Sequence, residues 1–189
     1  MDELSKMKQL DWYNANKDEY LNKRRVMANE LCAEFNITKF SDTVKRREIL
    51  NNLEIEMGEY SNILASFNCD YGFNIKIGHH TFINRGAYLM DGAPIIIGNN
   101  VLIGPNCGIY TNTHPLGYLN RNEGISKAKP IIIEDNVWIG GDVTILGGVT
   151  IHKNSVIGAK SLVNKDIDEN TLAYGVPIQM IRKIEKEEM

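Results

Sequence analysis

Aliphatic side chains recur at every sixth residue over much of the chain. Isoleucine, leucine or valine occupies all twelve of the positions 77, 83, 89, 97, 103, 109, 133, 139, 145, 151, 157 and 163. A period of six matches neither the 3.6-residue turn of an α-helix nor the alternation of a hairpin strand. It is typical of a parallel β-helix, in which three short strands and their turns form one triangular coil of about 18 residues. We therefore predict a mainly β protein whose aliphatic positions stack inside a prism.

The residues between the aliphatic positions fit the corners of such a prism. Glycine often follows the aliphatic residue, and the fifth position of each hexad is usually small or β-branched, as at Thr81, Val101 and Cys107. Turn segments such as 98–100, with the sequence GNN, adopt conformations that β-branched residues disfavour. An ordinary β-sandwich is the alternative, but it does not explain twelve matches at a fixed spacing.

The repeat is broken at two places. Its phase slips by two residues around Pro94, and it then stops for 18 residues between His114 and Ile133. Because 18 residues equal one coil, we interpret the second break as a loop at 115–132 that leaves the prism and returns at the same corner.

The first 57 residues have a helical period instead. Apolar residues recur at helical spacings from Asp18 to Phe35, and a second helix is predicted after Ser41 or Asp42, whose side chains can accept backbone N–H bonds. We predict an N-terminal helical subdomain at 1–57, the β-helix at 58–176 and a C-terminal helical tail at 177–189.

Composition narrows the class of protein. A net charge of −3 and a pI near 5.8 are unlike the basic balance of a general nucleic-acid binder. The start of the sequence has no apolar signal-peptide region, and no run of 18 apolar residues predicts a membrane span. The three cysteines lack a C-x-x-C pair, which indicates reduced thiols in a cytoplasmic protein and neither a disulfide framework nor a zinc site.

Several segments resemble one known family over nearly the full chain. The carriers are WYNANKDEYLNKRRVMANELCAEFN, CDYGFNIKIG, IGNNVLIGPNCGIYTNTHP, KPIIIEDNVWIGGDVTILGGVTIHKNSVIGAKSLVNKDI and AYGVPIQMIRKI. They are similar to the maltose/galactoside O-acetyltransferase branch of the hexapeptide-repeat acyltransferases. The resemblance implies a left-handed parallel β-helix and a homotrimer with active sites between neighbouring prisms. It also implies that acetyl-CoA lies along the groove between two subunits, with no metal required, and that a sugar enters from the other end.

Transfer of an acetyl group to a hydroxyl needs a base, and histidine, with an ordinary pKa near 6.5, suits that role. The resemblance assigns it to His114, in the segment TNTHP, and assigns Asn84 to holding the acceptor and stabilising the developing oxyanion. Taken without the repeat context and the family, His114 is more readily interpreted as a surface histidine in a loop. The other three histidines are assigned no role.

Further positions match family binding sites. The resemblance implies that Asp70, Asp91, Asn16 and Ser126 contact the acceptor, although for each aspartate a capped turn is an equal alternative. The residues that it assigns to CoA are Trp138 at the channel rim, Gly141 and Ala159 beside the pantetheine arm, and Lys165 and Arg182 at the phosphates.

Departures from the family pattern leave the acceptor open. They are Ser126 in the long loop, the pair Arg85-Gly86, and Gln179 near the C-terminal end. One alternative is a relative that acetylates a polysaccharide or an antibiotic. Another is a zinc-dependent γ-type carbonic anhydrase, which would need three suitably placed histidine ligands. A third is a non-catalytic scaffold.

Overall fold

The computed structural model describes residues 1–188 of the chain, which form a triangular prism of stacked coils with a helical region at one end. Face 1 carries five parallel strands: β1 (Glu56–Met57), β4 (Ile75–Ile77), β7 (Ile95–Ile97), β12 (Ile131–Ile133) and β15 (Thr150–Ile151). Face 2 carries seven strands: β2 (Asn62–Ile63), β5 (Phe82–Ile83), β8 (Leu102–Ile103), β13 (Trp138–Ile139), β16 (Val156–Ile157), β18 (Thr171–Tyr174) and β19 (Gln179–Lys183). Face 3 carries five: β3 (Asn68–Cys69), β6 (Tyr88–Met90), β9 (Gly108–Tyr110), β14 (Thr144–Leu146) and β17 (Leu162–Val163). We call the corner between faces 1 and 2 corner A, that between faces 2 and 3 corner B, and that between faces 3 and 1 corner C.

The hexad pattern correctly identified the interior of the prism. All twelve repeat positions are buried, and the residue before each on its strand points outward, as Lys76, Leu102 and Trp138 do. Strands of two or three residues cannot be stable alone, so the stability of the prism comes from the continuous aliphatic stack along its axis.

The phase slip of two residues around Pro94 belongs to a longer coil, and the first coils have twenty residues where the pattern predicted about 18. Ile77 lies twenty residues after its register partner Met57 and twenty before its partner Ile97. The spacing of 18 is reached only later, where Ile133 pairs with Ile151. The two extra residues fall at corner C, between the last strand of one coil and the first of the next.

The long break in the repeat is a loop at corner C. Ile109 pairs directly with Ile145, so the residues between His114 and the return add no coil to the prism. The loop begins with an antiparallel pair, β10 (Asn112–Thr113) and β11 (Lys127–Ala128), and contains one short helix, α4 (Tyr118–Asn122). The chain rejoins face 1 at Ile131, slightly before the predicted end of the loop.

The N-terminal region contains α1 (Glu3–Lys8), a 3₁₀ turn (Ala15–Lys17), α2 (Glu19–Ile37) and α3 (Thr43–Asn52). Asp42 caps α3, as predicted, and Asp18 caps α2. β1 already belongs to the prism, two residues before the predicted boundary at 58. None of the helices in the described part of the chain combines the length and apolar character needed to cross a bilayer.

These helices cover the open end of the first coil. The guanidinium of Arg46 lies 3.9 Å from the centre of the Phe35 ring and donates a 2.8 Å hydrogen bond to the Ile63 carbonyl. Such a cap is required because the first coil has no preceding neighbour to cover its apolar interior.

The prediction of a helical C-terminal tail was wrong. Within 177–188, Gln179–Lys183 forms β19, which pairs antiparallel with β18, and only Lys186–Glu188 forms a single 3₁₀ turn. Met189 lies outside the described residues. The reason is tertiary: the last coil leaves a row of backbone N–H and C=O groups on face 2 that a returning strand satisfies.

Candidate active site

His114 lies at corner C, directly after β10, with its side chain exposed. Its Nδ1 lies 2.8 Å from the carbonyl oxygen of Ile125, on the returning side of the loop. A carbonyl oxygen can only accept a hydrogen bond, so Nδ1 carries the proton and the lone pair is on Nε2. The ring therefore presents a proton-accepting nitrogen, which is the arrangement that a general base requires.

A cleft of about 230 Å³ lies on the outer side of face 3 under helix α2. The Tyr88 hydroxyl donates a 2.5 Å hydrogen bond to the Asp70 carboxylate within it. Burial raises the pKa of Asp70, and the bond from Tyr88 opposes that rise. The lining combines a carboxylate, a guanidinium, two amides, a thiol and a phenol, from Asp70, Arg25, Asn29, Asn68, Cys69 and Tyr88.

Asn16 contacts a residue that lines this cleft. Its Oδ1 accepts a 2.8 Å bond from Arg25, which lines the cleft. Sequence reasoning did not identify Arg25, Asn68 or Tyr88. A coil length of twenty residues would have indicated that Asn68 and Tyr88 share a site, because it places them side by side on the outer side of face 3.

Asp91 has a structural role, which corrects the expectation that it contacts the acceptor. It is fully buried, and its carboxylate accepts backbone N–H bonds of 3.0, 2.8 and 2.8 Å from Asp70, Tyr71 and Gly72. Burial raises the pKa of Asp91 to about 6, against the backbone donors that favour its ionised form. The carboxylate occupies the wider turn at corner C of a 20-residue coil. Because its oxygens already accept backbone N–H bonds, neither is free to bind a ligand.

Ser126 is buried beside the N-terminal segment and does not line the cleft. Its backbone N–H and C=O both pair with Tyr13, at 2.9 Å each. The structure therefore connects this position to the anchoring of the loop.

A second group of predicted residues lies at corner B. The Oδ1 atom of Asn84 accepts a 2.8 Å bond from the Arg85 N–H, which leaves its Nδ2 without a hydrogen-bond partner within residues 1–188. Gly141 and Ala159 lie at the same corner in two later, consecutive coils and are equivalent to each other, since Ile139 pairs with Ile157. Within one chain, Asn84 and His114 therefore lie at different corners of the prism.

The remaining CoA candidates lie towards the C-terminal end of the prism. Trp138 points outward from β13 and is 56 % exposed. Lys165 follows β17 at corner C and makes no ion pair in the part of the chain that the structure describes. Arg182, on β19, forms a two-bond ion pair with Glu188, with N–O distances of 2.6 and 2.7 Å, which raises the pKa of the guanidinium.

The other histidines are engaged in local structure. His79 Nδ1 accepts a bond from the Glu59 N–H, and the His80 ring stacks on Tyr60, both at corner A. His152 lies 3.0 Å from Glu134. None of these contacts places the three side chains around one point.

Three family models match the chain. They describe a maltose acetyltransferase hexapeptide capping motif at residues 6–53, a hexapeptide repeat of succinyl-transferase at 94–113 and a bacterial transferase hexapeptide (six repeats) at 130–165. A predicted acetyltransferase of Staphylococcus aureus is 48% identical over 187 residues, covering 99% of this chain and 94% of its own length.

Solved structures of acetyltransferases are similar along their whole length. A maltose O-acetyltransferase from Clostridium difficile has a TM-score of 0.89 and 42% identity, covering 98% of this chain and 99% of its own. An acetyltransferase of Vibrio cholerae complexed with acetyl-CoA has a TM-score of 0.90 and 39% identity, with 98% and 100% covered. A galactoside acetyltransferase in complex with CoA has a TM-score of 0.92 and 34% identity, with 100% and 94% covered. The fold is thus the left-handed parallel β-helix that the resemblance implied.

The role of Asp91 can be tested by substitution. We expect Asp91→Ala to lower the free energy of unfolding by about 2–4 kcal/mol, because several buried backbone N–H groups lose their acceptor. Urea denaturation measures this loss. The matched control is Asp70→Asn, which changes a neighbouring carboxylate that caps no turn and should cost less than about 1 kcal/mol. Equal stability of the Asp91→Ala protein and the wild type would contradict the structural role.

Proposed function

The chain belongs to the maltose/galactoside O-acetyltransferase branch of the hexapeptide-repeat acyltransferases, and we propose that it transfers the acetyl group of acetyl-CoA to a hydroxyl of a sugar or glycoside with His114 as general base. The hydrogen bond of 2.8 Å between His114 Nδ1 and the Ile125 carbonyl is the observation that carries this proposal. It fixes the tautomer in which Nε2 can take a proton.

The reaction follows from that tautomer. Nε2 removes the proton of the acceptor hydroxyl while the hydroxyl oxygen attacks the thioester carbonyl. The C–S bond of the resulting tetrahedral species then breaks, and the His114 imidazolium returns its proton to the departing sulfur. No covalent enzyme intermediate is needed, and the ring ends the cycle in its starting state.

The acceptor is placed in the cleft under helix α2. Asp70 and Arg25 offer charged hydrogen-bonding groups, and Asn29 and Asn68 offer amides, next to the Tyr88 ring. This mixture of donors and acceptors around an aromatic surface suits the hydroxyl groups and ring face of a sugar. Asn16, which bonds Arg25 at the rim, extends the same site.

Developing negative charge on the carbonyl oxygen needs a donor, and the unpaired Nδ2 of Asn84 can supply one. Because Asn84 and His114 lie at different corners, corner C of one protomer must face corner B of another. Exposed apolar side chains on face 2 favour such an assembly, among them Leu102 at 49 % and Trp138 at 56 % exposure. We place three protomers around one axis, which gives three equivalent sites.

Acetyl-CoA is placed along corner B, beside Trp138, Gly141 and Ala159. The small residues of the two stacked coils leave room for the pantetheine arm, and Arg182 supplies positive charge for the phosphates. Lys165 lies at corner C, so it would reach these phosphates from the protomer whose corner C faces this corner B. A CoA phosphate would compete with Glu188 for Arg182. We place the reaction in the cytoplasm, which the three free thiols support.

Removal of the base should abolish most of the activity. We expect His114→Ala to lower kcat at least about 100-fold, measured as CoA thiol release from acetyl-CoA across a panel of sugars, polysaccharide fragments and antibiotics. His152→Ala, a histidine paired with Glu134 on the surface, is the matched control and should retain full activity. Unchanged turnover in His114→Ala would refute the mechanism, and turnover with antibiotics alone would refute the sugar acceptor.

The cleft should determine acceptor affinity. We expect Asp70→Asn to raise the KM for the acceptor about tenfold, because a charged hydrogen-bond acceptor is lost, while the KM for acetyl-CoA stays within about twofold. Initial rates with each substrate varied in turn measure both constants. An increase confined to the KM for acetyl-CoA would place the acceptor elsewhere.

The shared site predicts complementation between two inactive variants. When His114→Ala and Asn84→Ala chains are coexpressed in equal amounts, about a quarter of the interfaces combine an intact His114 with an intact Asn84. We expect the mixed assemblies to regain about a quarter of wild-type activity, whereas each variant alone stays inactive. Mixed assemblies without any recovery would show that the two residues act within one protomer.

A further inference from the structure

The loop that orients His114 is held from outside by the segment at residues 12–15, which we call the N-terminal strap. Tyr13 of the strap exchanges two backbone hydrogen bonds of 2.9 Å with Ser126. The side-chain Nδ2 of Asn14 donates a 2.6 Å bond to the carbonyl of Glu123. These contacts lie on either side of Ile125, whose carbonyl oxygen accepts the His114 Nδ1–H bond.

The strap is itself fixed, so it can act as an anchor. Tyr13 is 2 % exposed and packs in a small core with Met7, Leu21 and Tyr71, and Asn14 is 4 % exposed. The Asn14 N–H donates a 2.6 Å bond to a carboxylate oxygen of Glu3, and the Asn14 Oδ1 caps the 3₁₀ turn at Ala15–Lys17.

Apart from the strap and the adjacent β10–β11 pair, the loop has few contacts that hold this carbonyl in place. Between Pro115 and Ser126 the internal backbone hydrogen bonds of the loop join residues close in sequence. The bond with the widest sequence separation runs from Ile125 N to Asn120 O and measures 3.3 Å. Leu116 and Leu119 are 96 % and 68 % exposed and pack into no core of the described chain. Gly124, at φ +84°, lies close to the strap, since an added Cβ would lie 3.4 Å from Asn14 Oδ1 and 2.6 Å from Nδ2 of the adjacent Asn16.

We propose that Asn14 is a positioning residue for catalysis, which holds the Glu123–Ile125 backbone so that the Ile125 carbonyl keeps the His114 proton on Nδ1. Without this anchor the loop backbone shifts, Nδ1 loses its acceptor, and the ring populates the tautomer protonated on Nε2. That tautomer cannot accept a proton from a hydroxyl. The inference rests on the proposed role of His114 as general base.

Asn14→Ser tests the proposal, because serine retains the capping oxygen but is too short to reach Glu123. We expect kcat to fall roughly tenfold with both KM values within about twofold, since displacement of a reacting group impairs the chemical step. In ¹⁵N NMR spectra of the full-length protein, His114 should gain Nε2-protonated tautomer relative to the wild type. Gly124→Ala strains the same backbone, because an alanine disfavours φ +84°, and should produce the same two changes.

Asn36→Ser is the matched control, since the Asn36 side chain also joins the N-terminal helices to the prism, through two 2.9 Å bonds with Phe67, but far along the chain from the loop. It should leave kcat and the His114 tautomer unchanged. Unchanged kcat and tautomer in both Asn14→Ser and Gly124→Ala, or an equal loss of kcat in Asn36→Ser, would overturn the proposal. The tautomer is observed without turnover, so a failed base assignment, seen as full activity in His114→Ala, is distinguished from a failed anchor.

Discussion

The inward aliphatic stack is the constraint on which the rest of the structure depends. Most strands of the prism contribute one or two buried side chains, and successive coils place these side chains on top of one another, as Ile103, Ile139 and Ile157 are placed on face 2. The strands are too short to persist alone, so no coil can shift its register without exposing the apolar side chains of its neighbours. Insertions are therefore confined to the corners, where the chain can extend away from the prism without disturbing the pairing of the strands.

Corner C takes nearly all of these insertions, and the polar chemistry gathers there. The early coils add two residues at this corner, and the buried carboxylate of Asp91 satisfies the backbone donors that the wider turn creates. The third coil adds the whole loop, and His114 stands where the loop begins. A regular hexad leaves no space for a polar side chain together with its hydrogen-bonding partners, whereas an irregular corner can accommodate both. The regular coils thus form a rigid support, and the residues at the interruption of the repeat form part of the candidate active site.

The N-terminal helices close the prism and contribute to the cleft. Arg46 joins them to the first coil by stacking on Phe35 and by donating to backbone carbonyls of both parts. Helix α2 also brings Arg25 over face 3, next to Asp70. One helical region therefore covers the apolar end of the β-helix, forms one wall of the cleft under α2 and, through the strap, contacts the loop.

The sequence by itself determined the features that arise from local periodicity. The six-residue period identified the interior positions, the helical spacing of apolar residues located α2, the Asp42 cap located α3, and the break after His114 located the loop. In each case neighbouring residues decide the outcome, because they set which side chains face the interior and which backbone groups lack partners.

Only the tertiary structure decided the features that join distant segments. Asp70 and Asp91 were equal candidates for binding the acceptor in the sequence, but Asp70 lines a cleft whereas Asp91 is buried beneath a turn. The final segment forms β19 because it meets an unpaired edge of face 2, which its own composition does not reveal. Asn84 and His114 were assigned to one site, yet they stand at different corners of the prism. Burial, edge pairing and the corner on which a residue falls depend on coil length and on the packing of remote elements, and a local pattern does not encode them.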